Sequence, residues 1–330
     1  MHKVSVVMPV YNAENTVQRA IKSVIDQTYR NLELIVVDDG STDNTGKLLD
    51  IIEKTDSRIN IIHIQNGGVS NARNIAIDRC SGMYITFIDS DDMMLPSMIE
   101  KMVNVMTTDV DMVCCGYTTY SPNGKVAFSQ NPEDKCWNRL NLYEGIGDLQ
   151  NKKAFNVLWN KLFRLSVIKD NALKMDRNIK MGEDFLFIKD YLNVTQGSLQ
   201  CISDALYYYV LSPGGAQAIQ NAEGSLSRRI EQLYKLVPLY EKLGYPLDTI
   251  FEEQLRCLYT SLLESNNIKE SLSAIFKDDK CKKLIKMYKP NGLKYGIFLA
   301  LLRTRNDSIV SFAVKVFKIY KKKRGKSYDW

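Results

Sequence analysis

The sequence predicts an α/β protein, a mostly parallel central sheet flanked by helices, with a helical C-terminal extension. Three observations predict it. Continuous apolar, β-branched runs such as VSVVMPV (4–10) read as strands buried on both faces. Stretches with a helical apolar stripe alternate with those runs. Each strand-like run also ends in a polar loop, and α/β sheets bind ligands beyond the carboxyl ends of their strands.

Each element follows in order. After the first strand, NTVQRAIKSVIDQ (15–27) places Val17, Ala20, Ile21, Val24 and Ile25 on one helical face. LELIVVDD (32–39) is a second buried strand, and STDNT supplies N-cap residues, Thr42 or Asp43, before the helix GKLLDIIEK. RINIIHI (58–64), VSNARNIAIDRC (69–80), MYITFID (83–89), MIEKMVNVM (98–106) and VDMVCCGY (110–117) continue the alternation of strand and helix. The rhythm then changes. Residues 117–160 read as turns and mixed polar segments, FLFIKDYLNV (185–194) as a helix and LQCISDALYYYVL (199–211) as a pair of strands. SPGGAQ (212–217) is a loop and a domain boundary, and the pattern is helical from about Glu223 onward. The expected division is 1–218, with halves 1–115 and 116–218, and a helical region 219–330.

A chain of 330 residues can bury a sizeable core as one large domain or two ordinary ones. Seven cysteines without a CxxC pair, and only His2 and His63, argue against a disulfide framework or a structural zinc site and fit a reducing cytosol. The N-terminus has too short an apolar run for a secretory signal. The net charge of +6 is uneven: residues 280–330 hold fifteen Lys or Arg against Asp307 and Asp329, a net of +13, so the rest carries −7. A basic tail on an acidic body suits a polyanionic partner.

The chemistry concentrates at the strand ends: Pro9–Asn12, 37-VDDGSTD-43, 65-QNGG-68 and 89-DSDD-92 converge on one rim. Asp89 and Asp91 share a side if the extended geometry persists, and two carboxylates so placed repel unless a cation lies beside them. Mg²⁺ or Mn²⁺ suits such oxygens, and Mg²⁺ fills its shell with water and phosphate oxygens. The plainer alternative is a solvated acidic turn. The VDDGSTD loop is a turn with N-cap residues, but Asp38 and Asp39 adjoin a buried strand, where a carboxylate can accept from a nucleobase N–H or ribose hydroxyl. NGGVSNARN lacks the GxGxxG and GxxxxGK[ST] patterns, which disfavours a dehydrogenase or a P-loop NTPase. Arg73 falls in the first turn after that loop, near the rim, and reads equally as a surface arginine. In KMGEDFLFIKDYL (180–192), Glu183 and Asp184 open a helix, a placement the helix dipole favours by itself.

Together SVVMPVYNAENTVQRAIKSVIDQTY, LELIVVDDGSTDNT, NGGVSNARNIAI, YITFIDSDD and MGED, in this order, resemble the family 2 glycosyltransferases of GT-A fold, such as those of bacterial capsule, exopolysaccharide and cell-wall polymer synthesis. The resemblance covers roughly residues 3–215. It implies an enzyme that transfers a sugar from a UDP-sugar to an acceptor hydroxyl with inversion, using Mn²⁺ or Mg²⁺. It would put Pro9, Tyr11 and Glu14 beside the nucleobase and ribose, Asp39 on the uracil, and Asn66 and Arg73 in the nucleotide pocket. Asp89-Ser90-Asp91 would be the metal motif, with Asp91 the direct ligand and Asp89 beside it. Asp184 would be the general base with Glu183 in support, and Trp159 and Lys161 would shape the acceptor side. One departure is the absence of His or Arg after LYYYV, which leaves contacts from residues 207–217 to the donor phosphates in doubt. The residue types agree with the chemistry: a single displacement needs one base carboxylate, and metal carboxylates for the leaving diphosphate.

In the tail, GLKYGIFLALL (292–302) and IVSFAVKVFKIY (309–320) are apolar but short of the ~20 residues that span a bilayer. Flanked by Lys and Arg, and followed by KKKRGK (321–326), they read as interfacial helices, so residues 290–326 are expected on an anionic membrane surface. A peripheral enzyme on the cytoplasmic face of the membrane, with a saccharide or lipid-linked saccharide acceptor, is the resulting expectation. Dimerisation is the other use of the tail, and nucleic acid is disfavoured because no module for it precedes the charge. The rivals are a sugar-nucleotide pyrophosphorylase, whose Gly-rich basic loop PVYNAENT lacks, and a catalytically inactive scaffold in a polysaccharide assembly complex.

Overall fold

The computed structural model describes residues 2–121, 123–179, 182–211, 235–244, 247–265, 267–288 and 293–324. Contacts divide the chain into two compact units, Met1–Gly215 and Ala216–Trp330. The loop 212–217, the boundary near 218, and the side chains of KKKRGK lie outside the described residues.

In chain order the first unit runs β1 (Val4–Val10), α1 (Val17–Ile25), β2 (Leu32–Asp38), α2 (Thr45–Glu53), β3 (Ile59–His63), α3 (Val69–Arg79), β4 (Tyr84–Phe87), β5 (Met93–Met94), α4 (Met98–Asn104), β6 (Val110–Tyr120), β7 (Val126–Gln130), β8 (Lys135–Trp137), α5 (Leu142–Asn151), β9 (Lys161–Arg164), α6 (Leu165–Asp170), α7 (Glu183–Val194) and β10 (Ser198–Val210). The sheet order is β3-β2-β1-β4-β9-β6-β10-β5, with β7 on β6 and β8 on β10. β1 pairs in parallel with β2 and β4, Val6 opposite Leu34 and Thr86. All seven residues of β1 are buried, as an unbroken β-branched run covered on both faces requires. Each such Val or Ile contributes roughly 1.5–3 kcal/mol by leaving water. On α1 the stripe Val17, Ala20, Ile21 and Val24 faces inward.

Beyond β6 the structure departs from the sequence reading. Residues 199–211 are not two strands: β10 is one strand, and the polar pair Ser203-Asp204 is absorbed by register shifts between Ile202 and Tyr207 against β6. β9 lies antiparallel between β4 and β6, where the sequence shows only a short mixed segment. The N-cap of α2 is Asn44 rather than Thr42 or Asp43.

The second unit is helical: residues 235–242, then Leu247–Glu264, Ile268–Lys277, Asp279–Met287, Leu293–Arg303 and Asp307–Arg324. Leu258, Leu262, Leu272, Leu284, Phe298 and Leu299 share its core. Asn267 and Asp278 set two of its helix starts, their side chains accepting from the amides of Glu270 and Cys281, caps worth about 1 kcal/mol each.

Candidate active site

β2 and β3 lie on one side of β1 and β4 on the other, so the strand order reverses at β1. The crevice outside the carboxyl ends of such strands is where α/β sheets take ligands. A cleft of about 360 Å³ opens there, lined by Pro9 near the end of β1 and Tyr11 just after it, Asp39 after β2, Asn66 after β3, and Asp89 and Ser90 after β4. Six residues drawn from four strand ends thus share one cavity, large enough for a small ligand. Tyr11 is 51% exposed and presents its ring at the mouth.

The loops owe their shape to polar contacts behind the cleft. Asp39 is buried, and its two carboxylate oxygens accept the amides of Gly67 (2.7 Å) and Gly68 (2.8 Å), while Asn66 Nδ2 donates to its carbonyl. Each oxygen keeps a second lone pair for a ligand. Gly68 has φ +87°, a conformation that favours glycine, and α3 begins immediately after it. Asp38 accepts from Ser41 N and contacts His63 Nδ1, so it braces the turn. Glu14 is outside the cleft lining; its Oε2 accepts from the amide and side-chain nitrogen of Asn44, holding the start of α2.

Arg73, which the resemblance puts in the nucleotide pocket, has a side chain 5% exposed that lies among carboxylates. Nη1 donates to Asp184 Oδ1 (2.6 Å) and Glu183 Oε1 (3.2 Å), and Nη2 to Asp89 Oδ1 (3.0 Å). α3, the end of β4 and the first turn of α7 therefore meet at one guanidinium. Burial opposes the arginine's charge, but Asp184, Asp89 and Glu183 outweigh it and hold its pKa above the usual value. Burial also raises the Asp184 carboxyl to about 7; Arg73 pulls it down, and Glu183 and Asp89 push it up. A carboxyl titrating there is matched to proton transfer near neutral pH. α7, like α3, starts after a left-handed glycine, Gly182 at φ +88°.

Ser90 and Asp91 are half-buried, and the Asp91 carbonyl accepts from Arg19 Nη2 (2.6 Å). The fourth residue of DSDD had no role in the sequence reading. Asp92 is fully buried: it accepts from Tyr207 Oη (2.8 Å) and Val210 N (2.8 Å), and Tyr207 Oη accepts from Asp89 N. It therefore ties the end of β10 to the DSD turn. Its one sequence signal was a carboxylate in excess of a metal motif's need. Among the described residues no group of three or more His, Cys, Asp or Glu is arranged to hold a metal. Mg²⁺ or Mn²⁺ needs only one or two protein carboxylates when phosphate and water complete its shell, and Asp89 and Asp91 supply that donor type.

The pair expected on the acceptor side, Trp159 and Lys161, is buried. Lys161 is fully buried, its Nζ donating to Ala154 O (2.7 Å), Val157 O (2.6 Å) and Asn160 Oδ1 (2.8 Å). These bonds close the loop 154–161. Trp159 is 5% exposed, stacked on Tyr207 and Tyr209 at ring separations of 4.3 and 5.6 Å. It backs β10 instead of forming an open wall.

Residues 5–171 match the family described as Glycosyl transferase family 2. Among curated relatives, glycosyltransferase GlyA of Streptococcus pneumoniae is 28% identical over 288 residues, which is 85% of this chain and 40% of GlyA. The Escherichia coli protein UDP-Glc:alpha-D-GlcNAc-diphosphoundecaprenol beta-1,3-glucosyltransferase WfgD is 34% identical over 182 residues, 52% of this chain and 71% of WfgD. The crystal structure of S. aureus TarS 1–349 in complex with UDP-GlcNAc is similar with a TM-score of 0.71 at 19% identity, covering 99% of this chain and 93% of that one. The fold is GT-A.

Proposed function

The chain belongs to glycosyl transferase family 2, and we propose that it moves a sugar from a UDP-sugar to a hydroxyl of a saccharide or lipid-linked saccharide in cell-surface polysaccharide synthesis, inverting the anomeric centre. One observation carries this reading: Arg73 joins Asp89, which lines the strand-end cleft, to the Glu183-Asp184 pair. A donor site and a base are thereby fixed within one side chain's reach. Pro9, Tyr11, Asp39 and Asn66 would receive the nucleoside.

In a single displacement the acceptor oxygen bonds to the anomeric carbon while the bond from that carbon to the UDP oxygen breaks on the opposite face. Asp184 takes the acceptor's proton, a step worth roughly 10²–10⁴-fold. Arg73 orients that carboxylate and favours its anionic form; Glu183 shares the same nitrogen of the guanidinium. Asp91 and Asp89 would hold Mn²⁺ or Mg²⁺, which when bound would offset the charge on the departing diphosphate. A lipid-linked acceptor implies work at the cytoplasmic face of the cell membrane. The UDP-GlcNAc complex of TarS and the UDP-Glc named for WfgD support a uridine donor.

The test is UDP release from a panel of UDP-sugars with Mn²⁺ or Mg²⁺. One preferred donor is expected, with release lost in Asp184→Asn while UDP binding persists. UDP bound by the wild type but released from no donor, with acceptor polysaccharide present, would instead establish the inactive scaffold.

A further inference from the structure

The structure separates the two apolar segments of the tail. In helix Leu293–Arg303, Phe298, Leu299 and Leu302 are buried in the core of the second unit. Arg303 spends its Nε on Ile285 O and its Nη2 on Tyr288 O. The helix therefore spends three of its apolar residues on the core and leaves Ile297, 46% exposed, as its one large outward apolar side chain among the described residues.

Helix Asp307–Arg324 differs. Val310 and Val314 are buried in the same core, and Phe317 packs against it. Ile309, Phe312, Val316 and Ile319 are 47, 71, 46 and 59% exposed. Their spacing of three, four and three residues aligns them on one stripe. At 3.6 residues per turn this stripe points roughly 150° away from the buried one. Single exposed apolar residues are ordinary; four in register over three turns mark an interaction face. Lys315 is exposed beside the stripe, the sequence continues 321-KKKR-324, and residues 280–330 carry +13. Among the described residues no helix is long and apolar enough to cross a membrane.

We propose that the outward face of helix Asp307–Arg324 docks on an anionic lipid surface. Phe312 and Ile319 enter the boundary between headgroups and acyl chains, and Lys315 with the following basic residues lies against the headgroups. Charge selects lipid over a second copy of the chain. A two-fold contact sets the same patch against itself, and here that patch has Lys315 beside it in a segment, 280–330, of net charge +13. An anionic bilayer supplies the opposite sign and an apolar interior together. The inference adds a surface to the membrane placement proposed above and is independent of the sugar chemistry.

The experiment is flotation of the full chain with vesicles of phosphatidylcholine alone and of phosphatidylcholine with phosphatidylglycerol, at low and high salt. The protein is expected to float with the anionic vesicles only, and less at high salt. The double variant Phe312→Ser/Ile319→Ser should bind them on the order of tenfold more weakly, and Lys315→Glu severalfold more weakly. All three residues are at the surface, so UDP release and the thermal melt should stay at wild-type values. Equal flotation of wild type and double variant overturns the proposal, as does a lipid-free dimer in sedimentation that the double variant abolishes. UDP release without flotation would sink this surface alone; flotation without UDP release would sink the transferase reading alone.

Discussion

Arg73 and Lys161 are both buried cations of the first unit, and their surroundings are opposites. Lys161 gives its three donors to two carbonyls and an amide oxygen, from residues seven, four and one position away. Arg73 gives two nitrogens to three carboxylates, 16, 110 and 111 positions away. Burial pulls the pKa of Lys161 down, whereas the anions around Arg73 more than reverse that effect. A cation among neutral local acceptors is a strut that closes a loop. A cation on one helix gathering three carboxylates from two other elements beside a cleft fixes the relative position of groups that react. The family resemblance set Arg73 in the nucleotide pocket and Lys161 on the acceptor side, because a basic residue near a motif looks the same in either setting.

The contrast predicts different losses. Asp184→Asn should lower transfer by roughly 10²–10⁴-fold with UDP affinity nearly unchanged, as steady-state UDP release and calorimetric UDP titration would show. Arg73→Met leaves three carboxylates facing one another, and breaking such a buried set costs about 3–5 kcal/mol. Its urea midpoint should fall and its transfer should be nearly lost. Arg73→Lys keeps the charge but not the planar fork, so stability should recover further than rate. Lys161→Met takes the donor from Val157 O and Asn160 Oδ1, at about 1–3 kcal/mol each, while Ala154 O keeps Asn160 Nδ2; the midpoint should fall while the rate per folded molecule stays within about twofold. A rate loss in Lys161→Met matching that of Arg73→Lys would erase the distinction.

The same division separates what the sequence disclosed from what it hid. β1, β2 and β4 were legible because burial on both faces writes itself as unbroken apolar runs, β3, with only Ile59 buried, because of its three isoleucines, and the strand ends were polar. Pro9, Tyr11, Asp39, Asn66, Asp89 and Ser90 line one cleft because they stand at those strand ends. β9 was not visible, since four residues paired to strands dozens of positions away carry no period of their own. β10 looked broken at Ser203-Asp204 because a bulge and a turn share a composition. Glu14 looked like a ligand contact and is a brace on Asn44; Asp92 looked like surplus and is a buried tie to Tyr207. Such roles depend on which acceptor the fold brings near, and one sequence does not list those.

The finest prediction concerns pH. Asp184 titrates at about 7, raised first by burial and then by Glu183 and Asp89, against the pull of Arg73. Only its anion can take the acceptor's proton. Transfer should therefore rise about tenfold per pH unit on the acid side and level off above the inflection near 7. The stability linkage has the opposite sense. A carboxyl whose folded pKa is raised contributes stability that is complete below the ordinary value of about 3.9 and lost as pH rises through the folded value. Between pH 4 and 7 the urea midpoint of the wild type should thus fall relative to that of Asp184→Asn. Arg73→Met removes the main opposing charge and should push the inflection upward in any residual activity. Lys161 also feels Asp184, as the last of several influences on it, so Lys161→Met should move the inflection in the same direction by much less. An equal shift in the two variants would mean that both cations tune the base, and that local bonding alone does not tell a strut from a working residue.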